Sequence, residues 1–334
     1  MRTEADVADP RPVTFGVLGC ADIAWRRTIP AMLGEPRVRL VAVASRSAER
    51  AGRFADRFGC AAVTGYRELL DRPDIEAVYL PLPALLHARW IERALTAGKH
   101  VFAEKPMTTD PRGVEDLLRL ADKANLVLLE NQAFLHHAQH AEVRRLLGDG
   151  AIGEPRGMSA AFTIPPKPDD DIRYQPEVGG GALFDIGVYP IAAALHLLGA
   201  ELEVAGAVFR HDRTRAVTLG GSALLHTPAG ITAQLTFGME HAYRNGYELF
   251  GTAGTLQLDR AFTPPEHQQP VIRVRRQDHY EEITLPADHQ FANAVRYFAR
   301  AVRGEVDPEP YHRFTVRLAG LVEQTRSRAR QLAV

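Results

Sequence analysis

Residues 99–106 read KHVFAEKP. A short apolar run of strand type, His100–Ala103, ends on Glu104, Lys105 and Pro106. A lysine just past a buried strand and pinned by a proline is held at the C-terminal edge of a sheet, where open α/β sheets bind ligands. An ammonium at such a point can stabilise charge developing on a carbonyl oxygen, and it can supply the proton that the oxygen takes up. A second group with chemical capacity lies in GGGALFDIGVYP, residues 179–190. The three glycines read as a flexible turn into a helix. On that helix Asp185 and Tyr189 are spaced i and i+4, so both project from one face. A phenol can donate a proton to a carbonyl as a hydride arrives at carbon, and a carboxylate can orient a substrate or hold Lys105 and Tyr189 in place. Both Lys105 and Tyr189 have high reference pKa values. The order of their roles stays open, with Lys105 favoured as the acid for its position.

The elements that must carry these groups begin with an apolar strand at 14–18 that runs into Gly19, Cys20, Ala21, Asp22 and Ile23, followed by a helical pattern through Ile29 and Met32. This is the dinucleotide-binding turn with alanine at the usual second glycine. The helix N-terminus would offer N–H donors and a favourable dipole to phosphate. The second strand, 38–44, ends on Ser45 and Arg46, with Arg50 one turn on. An acidic residue there would take a ribose 2′-hydroxyl. A hydroxyl and a forked cation suit a 2′-phosphate instead, so the cofactor expected is NADP(H).

Taken together, GCADIA (19–24), VASR, YLPLPALLH (79–87), AEKP (103–106) and GGGALFDIGVYP resemble the Gfo/Idh/MocA oxidoreductases from about residue 13 to 330. Within them, the stretch 128–147 and the GCADIAWRR start look most like the NDP-hexose 3-ketoreductases of deoxysugar biosynthesis. Ala21 and Ala84 depart from the family's common glycine and asparagine. The resemblance implies reduction by NADPH of the C-3 ketone of a dTDP-linked keto-deoxyhexose. It implies Lys105, Tyr189 and Asp185 as catalytic residues. It also implies that Leu82, Pro83, His87 and Glu104 join Gly19 to Ile23, Ser45, Arg46, Arg50 and Lys105 around the cofactor. Arg173 and Tyr243, in polar loops, could meet the diphosphate or base of the substrate. A dehydrogenase of free sugars, inositols or dihydrodiols and a cofactor-sensing regulator are the rival readings.

Composition sets the class. The chain has 334 residues, 46% hydrophobic and 24% charged, with a formal net charge of −1. Nothing in that balance points to nucleic acid or an anionic membrane as partner. Two cysteines, Cys20 and Cys60, argue against a disulfide scaffold, and Cys20 reads as a packing residue. His136, His137 and His140 lack a helpful partner apart from Glu142, so no metal is expected. Without a signal core or a membrane-length apolar run, a cytoplasmic location is expected.

The fold class expected is α/β plus α+β. From 13 to 132, strands at 14–18, 38–44, 61–63, 77–82, 100–103 and 126–130 alternate with helices, which argues a Rossmann-type parallel sheet. Residues 133–309 should form an α+β domain on an open, mostly antiparallel sheet with helix 182–198 on one side. A helix near 288–303, with a Phe291/Val295/Phe298 stripe, and one at 310–330 close the chain. Residues 1–12 read as a disordered lead, and 310–334 as a helix that returns to the first domain. The open sheet face suggests a homodimer or homotetramer.

Overall fold

The computed structural model describes residues 11–334. Of the expected lead, only Arg11 and Pro12 fall within the described residues; the Arg11 carbonyl accepts from the Arg303 guanidinium. The chain divides into two compact units, one of residues 1–107, 115–132 and 291–312, the other of 108–114, 133–290 and 313–334.

The first unit is built on six strands: β1 (Val13–Leu18), β2 (Val38–Ser45), β3 (Ala61–Thr64), β4 (Ala77–Leu80), β5 (His100–Glu104) and β6 (Leu128–Asn131). They are ordered β3-β2-β1-β4-β5-β6, and every pair is parallel. The strand order reverses between β1 and β4, the crevice where such sheets take ligands. Val13, Phe15, Val17, Val78, Tyr79, Val101 and Ala103 are all fully buried. A sheet covered on both faces needs such continuous apolar runs rather than alternation. Its helices follow from local signals. In helix Ala48–Phe58 the Ser47 hydroxyl accepts the Arg50 N–H at 3.3 Å, and Gly59 ends the helix at φ 67°.

The second unit carries nine strands: β7 (Pro155–Thr163), β8 (Glu203–Asp212), β9 (Val217–His226), β10 (Thr232–Gly238), β11 (Arg244–Gly251), β12 (Thr255–Asp259), β13 (Val271–Arg276), β14 (His279–Thr284) and β15 (Ala329–Ala333). Their order is β14-β13-β12-β11-β7-β10-β9-β8-β15. Only β7–β10 and β8–β15 pair in parallel. In β10, Ala233, Leu235 and Phe237 are buried while Gln234 and Thr236 are exposed. The buried face packs on helix Val188–Leu198, whose Val188, Ile191, Ala192 and Ala194 are buried. Val208, Leu224, Phe250 and Leu332 stay exposed.

Two closing elements differ from expectation. The helix Gln290–Val302 belongs to the first unit, because Phe298 stacks on Phe15 and Phe102 at centroid distances of 5.5 and 5.1 Å. Its Arg296 and Arg303 also pair with Glu35 and Glu76 at 2.7 and 3.1 Å. The helix Glu309–Ser327 then leads into β15, which adds to β8 of the second sheet, so the chain's last residues finish that sheet. β14 was not foreseen, since most of its residues are exposed and give no apolar period.

The second unit also buries histidines. His140 bonds the Tyr247 hydroxyl at 3.0 Å and the Ala261 carbonyl at 2.9 Å. Burial, together with repulsion from His196, holds its imidazole down at about 3. Burial holds His196 at about 4. Both folded values lie below the ordinary 6.5. The unfolded chain therefore binds more protons below that value, and stability falls as pH drops through it. We expect the two to cost about 3–4 kcal/mol between pH ~6.5 and pH ~5. Urea titrations across that range check this; a stability that stays flat or rises would contradict it.

Candidate functional site

The cofactor turn leaves β1 at Gly19, with φ 123° and its N–H on the Ala44 carbonyl at 3.0 Å. A Cβ there would sit 2.8 Å from the Leu82 side chain and 3.3 Å from the Pro81 carbonyl. Glycine is thus required twice over, by conformation and by the close approach of the segment after β4. Ala21 needs no such allowance. Among the described non-glycine residues only Asn125, Ala216 and Arg260 have positive φ. The Ala21 carbonyl accepts the Trp25 N–H, and Asp22 pairs with Arg26 along the first turns. Burial pushes the Cys20 thiol up to about 11 against the pull of Arg50, which makes it a packing residue.

At the end of β2, Ser45 is buried and its hydroxyl oxygen accepts the Ser47 N–H at 3.2 Å. Arg46 lines a cavity of about 260 Å³ with Tyr66, Arg67, Glu68, Leu86, Arg89 and Trp90. Tyr66 and Trp90 meet edge to face at 5.0 Å. Arg46, Arg67 and Arg89 against Glu68 leave the cavity cationic, and its aromatic walls offer faces for a planar ring. The glycine cradle and this cavity fit a dinucleotide that carries a phosphate on its ribose. Tyr66, Arg67, Arg89 and Trp90 escaped the sequence reading, because they sit on helix starts with no motif around them.

Lys105 follows β5, and its bond to Pro106 is cis. Two neighbours expected at the cofactor have other work. The Glu104 carboxylate accepts the Tyr79 hydroxyl at 2.6 Å and the Asn131 amide at 2.7 Å, and the Tyr79 hydroxyl also meets Thr28 at 2.9 Å. His87 is 1% exposed, with one ring nitrogen on the Leu82 carbonyl at 2.6 Å and the other on the Pro106 carbonyl at 2.7 Å. Both side chains brace the backbone under Lys105. Glu130, absent from the sequence reading, does the same: its carboxylate accepts the Met107 N–H at 2.6 Å.

In the second unit, Asp185 and Tyr189 flank the end of a π-helical turn, Leu183–Gly187. The Tyr189 ring lies among Phe162, Phe134 and Phe262, at 5.1, 5.7 and 5.8 Å. The glycines before it are not a flexible hinge. The N–H groups of Gly179, Gly180 and Gly181 donate to the carbonyls of Pro176, Gln175 and Arg173. A Cβ on Gly180 would lie 2.7–2.8 Å from three carbonyl oxygens. The glycines let backbone pack on backbone.

Arg173 pairs with Asp185 at 2.5 Å and with Asp171 at 3.0 Å. The two carboxylates raise its pKa further against the cost of burial, so its charge is already matched locally. Tyr243 stands in a separate group with Asn245, Thr263 and Arg260. The three histidines do not converge: His137 caps helix Ala138–Gly148, and His140 is spent on Tyr247 and Ala261. Among the described residues no cluster of His, Cys, Asp or Glu could hold a metal ion, and no helix is long and apolar enough to cross a membrane.

Comparison with known proteins places this arrangement. Residues 13–132 match the model of the oxidoreductase family with an NAD-binding Rossmann fold, and residues 140–257 match the GFO/IDH/MocA C-terminal domain. The chain belongs to the Gfo/Idh/MocA oxidoreductases. It is 55% identical to a dTDP-3,4-didehydro-2,6-dideoxy-alpha-D-glucose 3-reductase of Actinomadura kijaniata, over 97% of this chain and 98% of that one. It is 58% identical to an enzyme of the same name from Streptomyces antibioticus, over 96% and 98%. A crystal structure of a 3-ketoreductase from Actinomadura kijaniata, in complex with NADP and TDP-benzene, superposes with a TM-score of 0.95 at 55% identity, covering 97% of this chain and all of that one. Further structures of that relative carry a tyrosine-to-phenylalanine and a lysine-to-alanine substitution.

The Gly19 geometry yields a test. Gly19→Ala should force about 1–3 kcal/mol of backbone strain, beside the clash with Leu82. We expect a lower melting temperature and weaker NADPH binding in fluorescence titration. Parent-like binding would show that the turn does not need this glycine.

Proposed function

We propose that this chain reduces the C-3 ketone of a dTDP-linked keto-deoxyhexose with NADPH, in the biosynthesis of an unusual sugar. The observation that carries the reading is Lys105 on its braced strand end, in a chain more than half identical along nearly its whole length to two dTDP-sugar 3-reductases. Bound NADPH would supply the hydride that adds to C-3.

The chain's own residues do the rest. Gly19 lets the backbone approach the pyrophosphate, and the hydroxyl of Ser45 and the guanidinium of Arg46 hold the 2′-phosphate. Arg50 adds positive charge nearby. The ammonium of Lys105 faces the carbonyl oxygen, stabilises the negative charge that grows there, and gives it a proton, directly or through water. Tyr189, set on its aromatic bed, is a second candidate proton donor. Asp185, paired with Arg173, keeps its helix start in place and orients the sugar. The lysine and tyrosine replaced in the structures of the relative are of the two residue types assigned here. The reading further assigns a cytoplasmic enzyme whose copies associate through the exposed Val208, Leu224, Phe250 and Leu332 of the second sheet.

NADPH oxidation with a panel of dTDP- and UDP-linked keto-hexoses tests the reaction. Turnover of free keto-sugars alone would count against it. Arg46→Ala should erode the preference for NADPH over NADH by roughly tenfold to hundredfold, the worth of one charge-assisted contact. Equal kcat/KM with the two cofactors in the parent would sink that assignment. Lys105→Ala should lower kcat by roughly 100- to 1000-fold, and Tyr189→Phe by about fivefold, the value of one neutral hydrogen bond. A larger loss for Tyr189→Phe in single-turnover hydride transfer would reverse the two roles.

A further inference from the structure

The peptide group between Pro106 and Met107 is held at both ends by buried side chains. Its carbonyl faces the His87 imidazole at 2.7 Å, and its N–H donates to the Glu130 carboxylate at 2.6 Å. His87 is 1% exposed and Glu130 is 4% exposed. The other His87 nitrogen faces a second carbonyl, that of Leu82, at 2.6 Å. A neutral imidazole has one N–H only, so it would turn a lone pair on one of these oxygens at hydrogen-bond distance. The two carbonyls favour the cationic ring, and burial favours the neutral one with the larger effect. On the other side, the second Glu130 oxygen accepts the Gln132 amide at 3.3 Å. A carboxylate that accepts from two N–H groups is suited to its ionised form.

We propose that His87 and Glu130 are positioning residues that grip opposite ends of the Pro106–Met107 peptide and so aim Lys105 at the ketone. The inference rests on the assignment of Lys105 to that oxygen. The clamp ties together three segments: that after β4 through Leu82, that after β5 through Pro106 and Met107, and β6 through Glu130. The bonds fix one peptide plane in position and rotation, and Lys105 stands one residue before it.

Glu130 also bears on the charge of Lys105, because its ionised carboxylate attracts the ammonium. Burial pushes Glu130 up to about 7, opposed first by the Met107 N–H. Burial lowers His87, opposed by its two carbonyl partners. The other ionisable groups facing this pair are Glu104 on β5, beside both Glu130 and Lys105, and Tyr311 of the helix Glu309–Ser327, beside Glu130. Glu104 is bonded by Tyr79 and Asn131 and is left intact in the variants below.

Glu130→Gln keeps an acceptor for Met107 and removes the negative charge. His87→Gln replaces the ring that spans the Leu82 and Pro106 carbonyls. Two readouts apply to each. The first is kinetics with NADPH and a dTDP-linked keto-hexose: kcat should fall by about 10- to 100-fold, the cost of a small misplacement of a reacting group, while KM for NADPH changes little. The second is competitive labelling of the Lys105 amine with acetic anhydride across pH, followed by peptide mass spectrometry. The Lys105 pKa should move down by about one unit in Glu130→Gln, as removal of a nearby opposite charge requires, and should stay at the parent value in His87→Gln, because the buried imidazole is neutral where an amine titrates. If His87→Gln does not fold, Glu130→Gln, the near-isosteric change, decides alone. A Glu130→Gln labelling curve that coincides with the parent or moves up, or parent-like kcat in both variants while only the melting temperature falls, would reduce the pair to ordinary core polar groups and overturn the proposal. Labelling needs no sugar, so failure of the parent to reduce any keto-hexose would defeat the proposed reaction and leave this result standing.

Discussion

Polar groups at the end of a buried parallel sheet must all find partners, and this constraint shapes the first unit. Burying an amide or hydroxyl without a hydrogen bond costs about 1–3 kcal/mol on protein scales, and a lone carboxylate costs more. The carboxyl edge of this sheet carries Ser45, Tyr79, Glu104, Glu130 and Asn131. Each makes at least one hydrogen bond: Ser45 within its own turn, Tyr79 between Thr28 and Glu104, Asn131 on Glu104, and Glu130 on Met107, with the Asn131 Oδ1 as the exception left without a partner. The partners are drawn from neighbouring strands and the segments after them, so satisfying the edge also fixes those segments. A ligand-binding rim made this way is preorganised, because its geometry is set before anything binds.

Much of this architecture was legible in the residues. The parallel sheet was readable because buried strands bounded by helices leave short apolar runs, as in 14–18 and 100–103. The cofactor turn was readable from Gly19 in its strand–helix context. What escaped was of two kinds. Elements held by pairing alone, β14 and β15, carry no apolar period; β15 is exposed along almost its whole length and is recognised only by its ladder to β8. The helix 288–303 gave its stripe correctly but not its owner, since an apolar stripe does not say which sheet it covers. Phe298 belongs with Phe15 and Phe102.

The site shows the same division. Residue types that match a motif can be proposed by position: Lys105, Ser45, Arg46, Asp185, Tyr189. Residues that act by bracing carry no such signal. His87 and Glu104, expected at the cofactor, have their polar atoms engaged by Leu82, Pro106, Tyr79 and Asn131. Glu130 drew no notice because a single glutamate at a strand end looks like any surface residue, and only the fold shows that it is enclosed. The triple glycine was read as slack. Its φ values, 87° at Gly179 and 115° at Gly181, and the three carbonyls around Gly180 make it a tightly packed corner.

Both helices that lead out of these two turns begin with a π-helical stretch, Ala24–Thr28 after Gly19 and Leu183–Gly187 after Gly181. A π turn holds one residue more than an α turn at the same place along the axis. Removing a single residue from 183–187 would therefore leave a regular α-helix, with its downstream face still seated on the sheet through Val188 and Ile191. Because the π turn absorbs the extra residue, the backbone on either side would keep its direction, and only the residues inside the stretch, Asp185 among them, would shift relative to Tyr189. The extra residue thus acts as a local bulge written into chain length, and a one-codon deletion at this point re-aims Asp185 while the helix and the sheet beneath keep their register.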